Sequence, residues 1–469
     1  MTSENGLWNR LSTEHESRDA YRLAVEYGCE YHDALGEGPV FPASDALTAL
    51  AGFDEDLPED PLPAQAVLTR LHELGSPATT AQGGGRYFGF VNGGVLPAAL
   101  AARLLADFWD QNAALEVMSP AAAKLEAICE RWLVDLFALP ADSAAGLVSG
   151  TSTATLCGLL AGRNALLRRL GWDVTDKGLF GGPRLRVVMS DAAHATVRKA
   201  LAVLGIGAEQ IEIVPVDEQG RFDPGQAPAL DETALLILQA GNVNSGAFDP
   251  FVPLCEAAKA AGAWAHIDGA FGLWARACRS TAHLAAGIEL ADSWSVDAHK
   301  TLNSPYDCGV VLCRDRSALV SALQASDAYI HFGDGRDGML YTLEMSRRAR
   351  GVELWAALKS LGRSGVDQLV EQLCRRAQQF AAELRMNDFR VLNDVVFNQV
   401  LVACDSPDLT AQTLERLQAS GECWCGGSQW RGEPVIRISV CSWAATEEDV
   451  RRSVAAFVAA REQARASSA

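Results

Sequence analysis

The spacing of apolar residues changes character twice along the chain. Up to about residue 75 it is helical but interrupted, and residues 52–63, with five acids and three prolines, break it outright. Helical spacing then predicts helices over 96–109 and 121–139, the second followed by Pro140. From about Leu147 short apolar runs at 185–189, 211–215, 234–239, 264–267, 293–296 and 309–313 alternate with helical stretches such as 194–204 and 250–261. Near-continuous apolar strands separated by helices predict a mostly parallel sheet covered on both faces, an α/β architecture. After about Ser317 the order differs. A Gly/Asp-rich loop at 331–339 leads to a long helix over 346–361, then strands over 395–402 and 435–440 and a final helix over 447–463. The expected organisation is an N-terminal helical segment (1–80), a large α/β domain (81–345) and a small α+β domain (346–469).

Composition narrows the function classes. The net charge of −19 comes with no basic tract, which argues against a nucleic-acid partner. The twelve cysteines form no CxxC pair, and Cys423 and Cys425 have no second ligand pair nearby; free thiols in a reducing compartment are expected, and no metal site. The N-terminus lacks an apolar signal core and no apolar run is long enough to span a bilayer, so a cytoplasmic protein without a membrane partner is expected.

In a covered parallel sheet, ligands sit beyond the carboxyl ends of the strands. Four such ends carry polar groups. SWSVDAHKTLNSPYDCG places Lys300 after Asp297 and His299, AWAHIDGAFG places Asp268 at a strand end, RVVMSDAAHATV places His194 after another, and LVSGTSTAT is a small-residue turn opening a helix. A desolvated lysine condenses with an aldehyde, and an aspartate pairs with a protonated pyridine nitrogen and keeps the ring electron-poor. A histidine stacks on a flat ring, and a helix N-terminus receives a phosphate. These are the four handles of pyridoxal 5'-phosphate. Singly, each has a bland alternative: a surface lysine, a capping aspartate before glycine, a helix-capping histidine, a capping turn. Their order and shared placement favour the joint reading.

The stretch from about Tyr87 to Val440 resembles the group II pyridoxal-phosphate decarboxylases, which act on aromatic amino acids, histidine, glutamate or diaminobutyrate. The resemblance implies the aminotransferase-like fold (fold type I). It implies that Lys300 carries the cofactor as a Schiff base with His299 beside it, that His194 stacks on the ring, and that Asp268 holds the ring nitrogen with Ala270 against the ring. SGTSTAT resembles the phosphate loop, implicating Thr151 and Ser152, and QAGNVNSGAFDP implicates Asn242 near the ring. PVIRISVCSW implies that Arg437 faces the substrate carboxylate, and RYFGFVNGG and WDQN imply a substrate pocket around Phe90, Asn92 and Asn112.

The family's proton donor is a loop tyrosine supplied across a homodimer with interface active sites. Tyr341 is its nearest counterpart, with Tyr329 and His331 behind it, in a loop that looks shorter than in aromatic-amino-acid members. Arg347 and Arg348, at the start of the following helix, are expected to face solvent. The expected reaction is decarboxylation of an L-amino acid. A carbon–carbon lyase or aldolase, or an aminotransferase, on the same fold is the competing reading, and a non-catalytic binding protein the third.

Overall fold

A computed structural model describes residues 6–324 and 335–468. The N-terminal segment holds helices α1 (Gly6–Ser17), α2 (Asp19–Ala34), α3 (Ser44–Ala49) and α4 (Ala64–Gly75). The helices α5 (Pro97–Trp109) and α6 (Pro120–Leu136) follow, and the run that continues to Leu139 ends as helix at Leu136, ahead of Pro140. Strand β1 (Ala144–Val148) opens the sheet, then α7 (Thr151–Arg169), α8 (Val174–Lys177), β2 (Arg186–Ser190), α9 (Ala195–Val203), β3 (Ile211–Val214), β4 (Ala234–Gln239), α10 (Phe251–Ala261), β5 (Trp264–Asp268), β6 (Ser293–Asp297), β7 (Gly309–Cys313) and α11 (Arg316–Leu323).

These strands form one seven-stranded sheet in the order β1-β7-β6-β5-β4-β2-β3, parallel except where β7 runs against both β1 and β6. Successive residues of a strand face opposite sides. Ala265 and Ile267 of β5, with Leu236 and Leu238 of β4, join a core formed with α6, α10 and the following long helix. Leu235 and Ile237 of β4, with Val187 and Met189 of β2, join a second core under α7, α9 and α11. Burial on both faces explains why the strands read as unbroken apolar runs.

The long helix α12 (Gly351–Met386) breaks internally at Gly362, where φ is 60° and ψ −179°, one residue beyond the end that the apolar spacing predicts. Its first half packs on the large sheet, through Leu354 and Leu358. Its second half packs, through Leu373 and Phe380, on a separate core under β8 (Arg390–Val391), β9 (Gln399–Ala403), β10 (Gly426–Trp430) and β11 (Glu433–Ser439), closed by α13 (Pro407–Ala419) and α14 (Glu447–Ser468). The four strands are antiparallel in the order β10-β11-β9-β8. The short β8 and the glycine-led β10 carry too little apolar pattern to be visible in sequence.

A buried ion-pair network fixes the segment after residue 335. The Arg347 guanidinium donates to both oxygens of Glu126 on α6 (2.6 and 2.9 Å), and Arg336 pairs with Glu130 (2.7 Å). Arg347 is therefore buried and paired instead of facing solvent, and Arg348 bridges Asp307 and Glu353. Glu126→Ala would strand the Arg347 charge in the interior; it should lower the unfolding free energy in urea by about 3–5 kcal/mol.

His266 of β5 is wholly enclosed, with Nδ1 2.8 Å from the Ser293 hydroxyl and its ring against Gly158 of α7. Burial pushes its pKa down to about 3. The unfolded chain therefore binds a proton below about pH 6.5 that the folded chain refuses until about pH 3, so this histidine costs stability as pH falls through that window. Denaturant titrations of His266→Asn between pH 6 and pH 4 should show a stability slope shallower than wild type by up to about 1.4 kcal/mol per pH unit.

Candidate active site

The carboxyl ends of β1, β2, β4, β5 and β6 lie along one edge of the large sheet and surround a cleft of about 420 Å³. β11 of the small sheet contributes Arg437 to the same cleft. Lys300, Asp268, His194, Thr151, Ser152, Ala270, His299, Phe90 and Arg437 all line it.

Lys300 follows β6 by three residues, and its Nζ lies 3.1 Å from Asp297 Oδ2. The His299 ring stacks on Tyr306 at 4.1 Å, and its Nδ1 accepts from the Cys308 amide. Burial lowers the pKa of His299, against the pull of Asp297. At the end of β5, Asp268 is 7% exposed and its carboxylate accepts from the Ala270 amide at 3.2 Å. Burial pushes that carboxyl up, while His194 and Lys300 draw it down. His194 caps α9, its Nδ1 2.7 Å from the Thr196 hydroxyl; burial lowers its pKa, with Lys300 and Arg437 adding to the effect and Asp268 opposing it.

Arg437 donates to the Val243 carbonyl at 3.3 Å. Its Nε is buried without a partner, and no acid lies within ion-pair distance among the described residues. The nineteen-residue α7 points its N-terminus at the cleft through Ser149, Gly150, Thr151 and Ser152.

The residue set fits pyridoxal phosphate on three counts. Asp268 is an enclosed carboxylate without an ion-pair partner among the described residues, suited to a ring cation. Arg437 is an enclosed cation suited to an anion. The start of α7 offers amides and hydroxyls to a phosphate. Thr151 is the weak point of that third count, because its amide and its hydroxyl both donate to Asp297 (2.7 and 2.9 Å).

Four expected residues do not line the cleft of their own chain. The Asn242 side chain is spent on its own loop, accepting from the Asn244 and Ser245 amides, while Gly241 and Val243 on either side reach the cleft. Asn92 accepts from the Tyr306 hydroxyl at 2.8 Å and donates to Gln82, so it braces Tyr306 behind His299. Asn112 holds the Ala114 amide and Ser346. The Tyr341 hydroxyl accepts from Arg316 at 3.0 Å, and its ring lies 4.0 Å below the Arg336 guanidinium. The other two proton-donor candidates, Tyr329 and His331, lie outside the described residues.

Sequence reasoning passed over Asp297, Gln239 and Val91, all of which line the cleft. Asp297 stood in plain sight at a strand end, three residues before the lysine. Phe90 and Val91 both have positive φ (50° and 59°), a strained turn for side-chain-bearing residues. The turn is wedged tightly. A Cβ on Gly89 would lie 2.1 Å from the Trp424 ring, and one on Gly93 2.2 Å from the Lys300 carbonyl. Phe90 is thereby left 61% exposed at the cleft, stacked on Trp424 at 5.3 Å.

Residues 47–403 match the model of the pyridoxal-dependent decarboxylase conserved domain. A tyrosine decarboxylase of Papaver somniferum is 25% identical over 474 residues, covering 91% of this chain and 90% of that one. A phenylacetaldehyde synthase of a Rosa hybrid cultivar is 24% identical over 493 residues, covering 96% and 94%. Among solved structures, Oryza sativa TDC with PLP and tryptamine superposes with a TM-score of 0.87 at 22% identity, covering 96% of this chain and 98% of that one. Mouse CSAD superposes with a TM-score of 0.86 at 20% identity over the same shares. The strand-end cleft, its lysine and the match across three quarters of the chain agree: this chain belongs to the pyridoxal-dependent decarboxylase family.

Proposed function

We propose that the chain is an L-amino-acid decarboxylase in which Lys300 carries pyridoxal phosphate, Asp268 faces the ring nitrogen and Arg437 receives the substrate carboxylate. The observation that carries this reading is the pairing of opposite needs in one cleft that a lysine also lines: a buried carboxylate at 268 and a guanidinium at 437 whose buried Nε has no hydrogen-bond partner, neither in an ion pair among the described residues. When bound, the cofactor supplies an electron sink for the pair released as the Cα–COO⁻ bond breaks. Asp268, itself buried, keeps a positive charge on the ring nitrogen. His194 offers a flat ring whose neutral form burial favours. Arg437 orients the carboxylate, and Phe90 and Phe271 give apolar wall to the side chain. Those two rings, together with relatives named for tyrosine and tryptophan, support an aromatic substrate.

The engaged Tyr341 favours one second reading. Where no acid delivers a proton to Cα, oxygen-dependent conversion to an aldehyde competes, and relatives named phenylacetaldehyde synthase exist. The product mixture from an aromatic amino acid separates the two: CO₂ with amine supports decarboxylation alone, CO₂ with aldehyde, ammonia and peroxide the second route.

The N-terminal helices support a homodimer. α1, α2 and α4 contain no buried residue, yet they carry apolar side chains, Trp8 among them, and Phe108 of α5 is 61% exposed. In the large and small domains all the cysteines are buried and unpaired, which supports a reducing, cytoplasmic setting; among the described residues no helix is long and apolar enough to cross a membrane.

Lys300→Ala should abolish turnover and the cofactor's visible absorbance. Asp268→Asn should retain cofactor but lose about 10²–10⁴-fold in kcat. Near-wild-type kcat in either variant removes the mechanism. Arg437→Ala should lower kcat/KM for the amino acid by about 30–1000-fold while leaving binding of the product amine, which lacks the carboxylate, within about threefold. Light scattering should give twice the chain mass for wild type and one chain mass for Trp8→Glu/Phe108→Glu.

A further inference from the structure

Asp297 has no part in the functional reading above, yet it is the most heavily engaged side chain in the cleft. It ends β6 and is 2% exposed. Its backbone is clamped on both sides: the amide donates to the Ala270 carbonyl (2.8 Å), and the carbonyl accepts from the Trp274 indole (2.9 Å). Its Oδ1 accepts from the Thr151 amide, and its Oδ2 accepts from the Thr151 hydroxyl, lies 3.1 Å from Lys300 Nζ and 3.5 Å from His299 Nε2. The carboxylate is thus fixed in position before any ligand arrives. Lysine, by contrast, swings on four methylenes and changes partner at little cost. Asp268, the other enclosed acid of the cleft, makes no ion pair with Lys300.

We infer that Asp297 is the seat of the Lys300 amine whenever the lysine is not bonded to the cofactor: a positioning residue that receives Lys300 as an ammonium each time a substrate amine replaces it. The inference rests on the reading that Lys300 carries the aldehyde. In the exchange, the substrate nitrogen bonds to the aldehyde carbon and the bond from that carbon to Nζ breaks. The three protons of the substrate ammonium pass to Nζ, so the substrate nitrogen becomes the imine and the lysine leaves as an ammonium. Freed Lys300 is a compact ammonium with three donors in place of an imine nitrogen, and a fixed anion 3.1 Å away stabilises that state more than the bonded one. The same contact keeps the freed amine from wandering, ready for the return exchange that expels the product.

The test is a trapping experiment on the holoenzyme. The enzyme is titrated with the product amine, reduced with borohydride, and digested; mass spectrometry gives the fraction of cofactor fixed on the Lys300 peptide against the fraction carried by the amine. Asp297→Asn keeps the shape and an acceptor for the Thr151 amide but removes the charge. It should need about tenfold more amine to reach half-exchange. Trp274→Phe, which removes one hydrogen bond to the Asp297 backbone without touching the charge or the cleft lining, should stay within about twofold of wild type. If Asp297→Asn loses the cofactor altogether, Asp297→Glu decides, since it keeps the charge but displaces it; its half-exchange concentration should also rise. An unchanged half-exchange concentration in Asp297→Asn, or in Asp297→Glu where that variant decides, overturns the inference, as does a Trp274→Phe shift as large as that of Asp297→Asn. Absence of trapped cofactor on Lys300 in the wild type would instead overturn the cofactor reading itself.

Discussion

Charge balance in an enclosed cleft is the constraint on which the site depends. Two carboxylates, Asp268 and Asp297, end the adjacent strands β5 and β6. Two basic groups, Lys300 and Arg437, face the same space. One pair is closed within the protein, Lys300 with Asp297. The other two charges are left apart, each without an ionic partner among the described residues. Enclosed charges of this kind are costly unless something completes them. A ligand presenting a cation to one and an anion to the other would do so, and a protonated pyridine together with an amino-acid carboxylate is such a ligand.

The fold was legible in sequence where burial was two-sided. Six of the seven large-sheet strands lie where apolar runs placed them; five of these are covered on both faces, and the sixth, β3, is the partly exposed edge strand. β1 was lost in the change of pattern near Leu147, and β8 and β10 because a two-residue strand and a Gly-Gly-Ser-Gln-Trp strand have almost nothing to alternate. The residues that line the cleft were legible where they sit at or just past a strand end, as for Lys300, Asp268 and His194, or within a strand, as for Arg437. The site was illegible where chemistry depends on who reaches a side chain first. Asn242, Asn92 and Asn112 carry hydrogen-bonding groups suited to a ligand, but local amides and hydroxyls claim them. Tyr341 is likewise claimed, by two arginines whose positions the linear order does not reveal.

The same ion-pair network explains why residues 335–350 are so firmly placed. Glu126 and Glu130 occupy one face of α6 and draw in Arg336, Arg347 and Arg316. An all-apolar contact there would pack as well but would tolerate sliding; forked guanidinium–carboxylate bonds fix register. Tyr341 is held between these arginines as a consequence of that register.

One feature of the scaffold bears on how the two halves of the cleft are kept in tune. Lys300 belongs to the large sheet and Arg437 to the small one, and α12 runs through the cores of both. Its single interruption, at Gly362, has open space where a side chain would be. Helical geometry is interrupted there and nowhere else along α12, so that glycine is where one continuous segment changes course between the sheet that carries the lysine and the sheet that carries the arginine, some sixty residues upstream and seventy-five downstream of it in the chain.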